Sequence, residues 1–154
     1  MEIDDITGMI VDTAYRLHAG LGPGLLESVY EAVLYRDLAR RGLKVERQKI
    51  VAFEYDGMRF EEGLRLDLLV ENRIIVELKS VEKMTAVHPK QLLTYLRLMN
   101  LPVGLLINFG AATFKEGVQR IVNNYRPSSA SRLLRVNRGF ACSRGAAEDA
   151  EKDR

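Results

Sequence analysis

Three charged residues lie within or directly after two apolar segments in the middle of the chain. The segments are Leu66–Val70 and Ile74–Leu78, and the charged residues are Asp67, Glu77 and Lys79. Short runs of Leu, Ile and Val bounded by polar residues are typical of buried strands. A charged side chain in such a strand is costly unless it is paired or bound to a metal. The three residues therefore form either a structural charge cluster or a site that performs chemistry.

The turn between the two segments decides whether these charges meet. Glu77 and Lys79 are two residues apart, so they share one face of their strand. A two-residue loop at 71–72 would turn Asp67 to the other face, whereas a three-residue loop at 71–73 sets Asp67 opposite Glu77. Three-residue loops are common, and Asn tolerates the left-handed conformation that one of their residues adopts. We therefore predict the three-residue loop, or a bulge with the same effect.

Length and composition set limits on the class of protein. The chain has 154 residues, of which 47% are hydrophobic, and this suffices for one domain with its own core. The net charge of +2 does not by itself indicate nucleic-acid binding. The single cysteine, Cys142, excludes an intramolecular disulfide, and the two histidines argue against a histidine metal cluster. With no membrane-spanning run and an acidic start unlike a signal peptide, we expect a cytoplasmic protein.

The composition changes after Tyr125. Segment 126–131 is linker-like, and the tail places four arginines ahead of an acidic end at 148–151. We predict a domain at 1–125, followed by a linker and a disordered tail at 126–154. The arginines could touch nucleic acid, but the acidic end favours a solvated tail.

Hydrophobic periodicity predicts the elements that position the charges. Helical spacing and strand-like alternation predict, in chain order, helices at 3–19 and about 25–41, a meander of three strands from about 43 to 78, a helix from Pro89 to about Met99, and a strand at 103–108. Asp56-Gly57 is a hairpin-turn signal within the meander. The final strand–helix–strand order predicts a parallel crossover. Residues 113–124 are ambiguous, because helical spacing of apolar residues there is interrupted by Gly117.

Two further motifs accompany the charged residues. Gly24–Tyr30 fits the pattern G-x-x-E-x-x-Y, and Gln91–Tyr95 fits the pattern Q-x-x-x-Y. Together with Asp67 and the triplet Glu77-Leu78-Lys79, in this order, they resemble the PD-(D/E)XK nuclease superfamily. Within that superfamily, the chain is similar to the bacterial GxxExxY proteins.

The resemblance covers roughly residues 3–124 and implies an α/β fold. The implied restriction-endonuclease-like core is a mixed four-stranded sheet (αβββαβ) flanked by helices. Segment 106–110 also looks like the GxxExxY family. One departure is Leu66, which stands where the superfamily often has a proline before the first acidic residue.

The resemblance further implies a metal-dependent nuclease that hydrolyses phosphodiester bonds in DNA, with RNA left open. Hard carboxylate oxygens suit Mg²⁺ or Mn²⁺, which one or two protein carboxylates and a substrate phosphate hold. Asp67, Glu77 and Glu27 would be the metal ligands, with the Leu78 carbonyl as a possible addition. A homodimer or a protein partner would fit a chain with little room for a recognition domain.

The same resemblance implies catalytic roles for Lys79, Gln91 and Tyr95. Lys79 would orient the attacking water or stabilise charge on the phosphate in the transition state. Gln91 and Tyr95 are four residues apart on one helix face, and would hold Lys79 or the scissile phosphate.

Each role has a structural alternative. Asp67, Glu77 and Lys79 could form a buried salt-bridge cluster. Tyr30 is better explained by packing and a structural hydrogen bond than by chemistry. Gln48 and Lys49 could line the site from the first strand, or lie on a solvated edge. At the level of the whole protein, the alternative is a non-catalytic nuclease-like module that binds nucleic acid or a protein partner.

Overall fold

Two helices, a three-stranded meander, a crossover helix and two further strands make up the fold. The computed structural model describes residues 1–127, so the predicted tail lies almost entirely outside the described residues. The elements are α1 (Ile3–Leu21), α2 (Glu27–Arg40), β1 (Val45–Tyr55), β2 (Met58–Val70), β3 (Ile74–Lys79), α3 (Val87–Met99), β4 (Val103–Asn108), α4 (Phe114–Gly117) and β5 (Val118–Val122). Among the helices of this part of the chain, none has the length and hydrophobicity needed to cross a membrane.

The strands form one mixed sheet in the order β1-β2-β3-β4-β5. The meander is antiparallel, β3 and β4 are parallel, and β5 returns antiparallel to β4. The predicted crossover between β3 and β4 through α3 is therefore confirmed. The α/β class and the restriction-endonuclease-like arrangement are also as expected.

The fifth strand corrects the four-stranded prediction. Residues 113–124, whose spacing suggested a helix, form the four-residue helix α4 and then β5. Alternation along β5 places Val118 against the larger core cluster and Ile121 against the smaller one. The change of conformation occurs at Gly117, where a Cβ atom would lie 2.3 Å from the Asn108 carbonyl oxygen. Only glycine allows the backbone to pass that close.

Helix α3 also begins earlier than predicted. It starts at Val87, so Pro89 is the third helical residue and not the first. A proline is tolerated anywhere in the first turn, where its missing N–H has no helical partner. The helix ends at Met99 as predicted, with Asn100 in the left-handed conformation at φ 53°.

Two apolar clusters cover the two faces of the sheet. The larger cluster joins α1 and α2 to one face, and the smaller one joins α3 to the other. Along β3, Ile74, Val76 and Leu78 belong to the larger cluster, and Ile75 belongs to the smaller one. Because side chains alternate along a strand, Glu77 and Lys79 share the face of Ile75.

The hairpin between β2 and β3 has the predicted three-residue loop. Val70 pairs with Ile74, and the ladder ends at the pair of Leu68 with Val76. One further pair in this register would set Asp67 opposite Glu77. Glu71 and Asn72 both adopt the left-handed conformation, at φ 53° and 52°, where the prediction required only one such residue.

Candidate active site

Asp67 and Glu77 meet where the β2–β3 ladder ends. The Asp67 N–H donates to Glu77 Oε1 at 3.3 Å, and the Leu78 N–H donates to Asp67 Oδ2 at 2.8 Å. Both side chains are partly buried. Each carboxylate is therefore anchored by the backbone of the neighbouring strand, and the two lie side by side.

This arrangement concentrates negative charge. Burial raises the pKa of Glu77 to about 8, and the neighbouring Asp67 carboxylate contributes to the increase. The Lys79 ammonium acts in the opposite direction with a smaller effect. Within residues 1–127, no lysine or arginine forms a salt bridge with either carboxylate. The closed salt-bridge cluster, offered above as an alternative, is thus not what the geometry shows.

Lys79 is the last residue of β3 and its backbone is held firmly. Its carbonyl accepts the Phe109 N–H at 2.8 Å, and it pairs with Asn108 of β4. The Asn108 side chain in turn accepts the Val81 N–H at 3.0 Å and donates to the Val81 carbonyl at 2.9 Å. In the described part of the chain, the Lys79 ammonium makes no salt bridge or side-chain hydrogen bond. It is available to a ligand beside the carboxylates.

The G-x-x-E-x-x-Y motif builds the loop that precedes α2. The fully buried Tyr30 donates its hydroxyl proton to the Gly22 carbonyl at 2.6 Å and accepts the Leu25 N–H at 3.1 Å. The Ser80 hydroxyl donates to the Leu25 carbonyl and ties this loop to the end of β3. The interpretation of Tyr30 as a packed residue with a structural hydrogen bond is confirmed.

Glu27 is exposed at the first turn of α2. It lines a surface pocket with Ser80 and neighbouring residues of the loop and first turn: Gly24, Leu25, Leu26 and Ser28. Ser80 directly follows Lys79, the last residue of β3, so the pocket and Glu27 lie near the end of that strand. Yet within residues 1–127 no three His, Cys, Asp or Glu side chains come together as a metal-binding group. The structure joins Asp67 to Glu77 and leaves Glu27 outside that pair.

Gln91 and Tyr95 share a face of α3, as their spacing predicts. The Gln91 side-chain amide donates to the Tyr95 hydroxyl at 2.8 Å. Tyr95 packs partly against the smaller apolar cluster, while Gln91 is exposed. In the region described, their side chains hydrogen-bond each other and not Lys79, so their roles toward Lys79 or a phosphate stay predictions.

Two further polar residues extend from the acidic pair: Gln48 contacts Asp67, and Glu31 contacts Gln48. The sequence left Gln48 either lining the site or lying on a solvated edge, and it assigned no site role to Glu31. Gln48 Nε2 donates to Glu31 Oε2 at 2.7 Å and to Asp67 Oδ1 at 3.4 Å. Glu31 is only 6% exposed, and its Oε1 accepts from Arg47 Nε at 3.1 Å. The available signal was the position of Glu31, four residues after Glu27 and on the same helical face.

The donor set fits a divalent cation. Asp67 and Glu77 supply hard oxygen ligands, and neither forms a salt bridge with a lysine or arginine of the described residues. Mg²⁺ keeps several waters and is commonly held by one or two carboxylates together with substrate phosphates. A pair of carboxylates beside the Lys79 ammonium is therefore a donor set that fits a divalent cation without a cage of protein ligands.

Comparison with known families agrees with this geometry. No curated protein and no solved structure gives a significant match. A family model described as the PD-(D/E)XK nuclease superfamily matches residues 4–121, which include every element from α2 to β4. That match does not separate the GxxExxY proteins from other members, so the narrower assignment stays a prediction. On the fold, the Asp67–Glu77–Lys79 arrangement and this match, the chain belongs to the PD-(D/E)XK nuclease superfamily.

Proposed function

We propose that this protein is a metal-dependent nuclease that hydrolyses phosphodiester bonds in DNA. The observation that supports the proposal best is the contact of Asp67 and Glu77 beside Lys79, whose ammonium makes no salt bridge with residues 1–127. Superfamily membership suggests nuclease activity in general. The choice of metal and of DNA is our own inference.

Asp67 and Glu77 would hold Mg²⁺ or Mn²⁺, and Glu27 would reach it directly or through water. When bound, a divalent cation supplies Lewis-acid chemistry that polarises the phosphate. Lys79 would stabilise the negative charge that develops on the phosphate oxygens, since its ammonium has no competing partner among residues 1–127.

Gln91 and Tyr95 would position the substrate from α3. Their mutual hydrogen bond at 2.8 Å orders the exposed Gln91 amide on the same side of the sheet as Lys79. An amide group and a phenol hydroxyl can both donate to phosphate oxygens. We infer that they contribute to placing the scissile phosphate and that they do not exchange protons with it.

A non-catalytic module is the second candidate, and one observation favours it. Glu27 is exposed and separate from the acidic pair, so the described residues form no complete three-acid site. A chain with this arrangement could retain phosphate binding through Lys79 without turnover.

A cleavage assay with metal and variant controls tests the proposal. We expect wild-type protein to nick supercoiled plasmid DNA with Mg²⁺ or Mn²⁺ and not with EDTA. Lys79→Met should lower the rate at least about 10²-fold, as removal of a transition-state donor does elsewhere. Lys115→Met, which removes an exposed lysine of α4, should leave the rate unchanged.

The substrate class is tested in the same assay with single-stranded DNA and RNA. Cleavage of RNA alone would overturn the choice of DNA and leave the site intact. No cleavage of any substrate by folded wild-type protein, with phosphate binding independent of metal, would favour the non-catalytic module.

A further inference from the structure

We propose that Gln48, anchored by Glu31, is a positioning residue that orients the Asp67 carboxylate for metal binding. This inference rests on the proposed function, because it concerns how strongly the same site holds a divalent cation. It assigns a role to two residues outside the acidic pair, on β1 and α2.

The Gln48 amide bridges two carboxylates. Its Nε2 lies 2.7 Å from Glu31 Oε2 and 3.4 Å from Asp67 Oδ1. A primary amide carries two N–H donors on one nitrogen, so one side chain can serve both acceptors. The other Asp67 oxygen accepts the Leu78 N–H at 2.8 Å. With one bond on each oxygen, the plane of the Asp67 carboxylate is set from two sides.

Glu31 is itself held in place. It is 6% exposed, and its Oε1 accepts from Arg47 Nε at 3.1 Å. The Arg47 guanidinium lies over the Tyr35 ring at 5.4 Å, which limits its movement. The positive charge of Arg47 balances the negative charge of the buried Glu31 carboxylate through Oε1. The second oxygen, Oε2, accepts the hydrogen bond from Gln48. The chain of contacts therefore runs from Arg47 through Glu31 and Gln48 to Asp67.

The backbone of Gln48 is unusual for a strand residue. Its φ is 47°, in the left-handed region that non-glycine residues rarely adopt. It lies between the pairs Arg47↔Leu68 and Lys49↔Leu66, and so directly across from Asp67. Strained conformations of this kind persist near functional sites, where the surrounding contacts hold them. If the position served the backbone alone, glycine would satisfy it better than glutamine.

The Gln48→Gly variant separates positioning from structure. Glycine accepts the left-handed conformation without strain, which offsets part of the stability that is lost when the buried Glu31 carboxylate loses its amide donor. The loss of the amide should weaken Mn²⁺ binding, measured by calorimetry, about 10- to 100-fold, as loss of a partner of a metal ligand does elsewhere. A merely structural role would change the melting temperature and leave the Mn²⁺ affinity at the wild-type value.

Gln119→Gly is the matched control, since Gln119 is an exposed glutamine on the opposite edge strand. There we expect a slightly lower melting temperature and wild-type Mn²⁺ affinity, because glycine weakens a strand. Glu31→Gln completes the test. It should also weaken Mn²⁺ binding, and combining it with Gln48→Gly should add little, because both act through one chain of contacts.

The outcomes separate this inference from the proposed function. Wild-type Mn²⁺ affinity in Gln48→Gly, or fully additive effects of the two substitutions, would overturn the positioning role while the nuclease proposal stands. A folded wild-type protein that binds no Mn²⁺, with DNA present, would overturn the proposed function and this inference together.

Discussion

The Tyr30 ring stacks on the Phe109 ring with 4.3 Å between centroids and 3° between planes. Tyr30 belongs to α2, and Phe109 directly follows β4. The sequence analysis identified segments 24–30 and 106–110 as separate family-like motifs. Tyr30 and Phe109 bring the two segments into contact within the larger apolar cluster. Because the Tyr30 hydroxyl also holds the loop before α2, this stack links the position of Glu27 to the centre of the sheet.

Tyr30→Phe should destabilise the protein through lost hydrogen bonds alone. The ring stack is kept, but the Gly22 carbonyl and the Leu25 N–H lose their partner. Leaving such groups unsatisfied costs roughly 1–3 kcal/mol, measurable by urea unfolding. Tyr15→Phe is the control, because Tyr15 is 56% exposed and should tolerate the change. Equal stability of both variants would contradict the clamping role of Tyr30.

The raised pKa of Glu77 predicts a pH-dependent stability for the metal-free protein. Between the ordinary pKa of 4.5 and the folded-state value of about 8, the folded protein keeps a proton that the unfolded chain releases. The contribution of Glu77 to the free energy of unfolding is then greatest below pH 4.5 and falls as the pH rises toward 8, by up to about 1.4 kcal/mol per pH unit. Chemical unfolding in EDTA at several pH values measures this.

Glu77→Gln isolates that contribution. The variant should match wild type near pH 4.5 and exceed it in stability above pH 8, because it has no carboxyl proton to release. Parallel curves for the two proteins over the whole range would show that Glu77 titrates normally.

The raised pKa of Glu77 also predicts how metal binding depends on pH. A cation that binds to the Glu77 carboxylate must displace the proton held below pH 8. Mn²⁺ affinity should therefore rise up to about tenfold per pH unit from pH 6 to 8 and then level off. Calorimetry in buffers of different ionisation enthalpy also counts the released proton. An affinity that is flat over this range would show either that Glu77 is already ionised at pH 6 or that it does not bind the cation.

Gly110→Ala tests the support of the segment after Lys79. A Cβ atom at Gly110 would lie 2.4 Å from the Val81 carbonyl oxygen, so the backbone must move. We expect a loss of at least about 1–3 kcal/mol in thermal or urea unfolding. In Gly8→Ala the new Cβ meets nothing within 4 Å on the surface of α1, and the helix should gain roughly 0.5–1 kcal/mol. A tolerated Gly110→Ala would show that this segment adapts freely.

Local patterns sufficed for the parts of the site that depend on neighbouring residues in the chain. The Asp67–Glu77 contact follows from one loop length, and the Gln91–Tyr95 hydrogen bond follows from helical spacing. The α/β class and the parallel crossover follow from the order of predicted elements. In each case the feature is determined by residues that are close together in the chain or by the order of neighbouring elements.

Contacts between distant segments could not be predicted in this way. The Gln48–Glu31 bridge depends on a left-handed residue within a strand, and no composition signal marks Gln48 for it. The strand β5 depends on the close approach of Gly117 to Asn108, whereas local spacing suggested a helix. Glu27 shares its helix with Glu31, yet the packing of α2 buries Glu31 and leaves Glu27 exposed.

Calorimetric titration of Mn²⁺ into wild type, Asp67→Asn and Asp56→Asn tests the central claim most directly. Asp56 lies in the exposed turn between β1 and β2, so it controls for the loss of one negative charge. We predict that wild type and Asp56→Asn bind Mn²⁺ at pH 8 with equal affinity and that Asp67→Asn loses binding. Equal binding by Asp67→Asn, or no binding by folded wild type, would contradict a metal site at the Asp67–Glu77 pair.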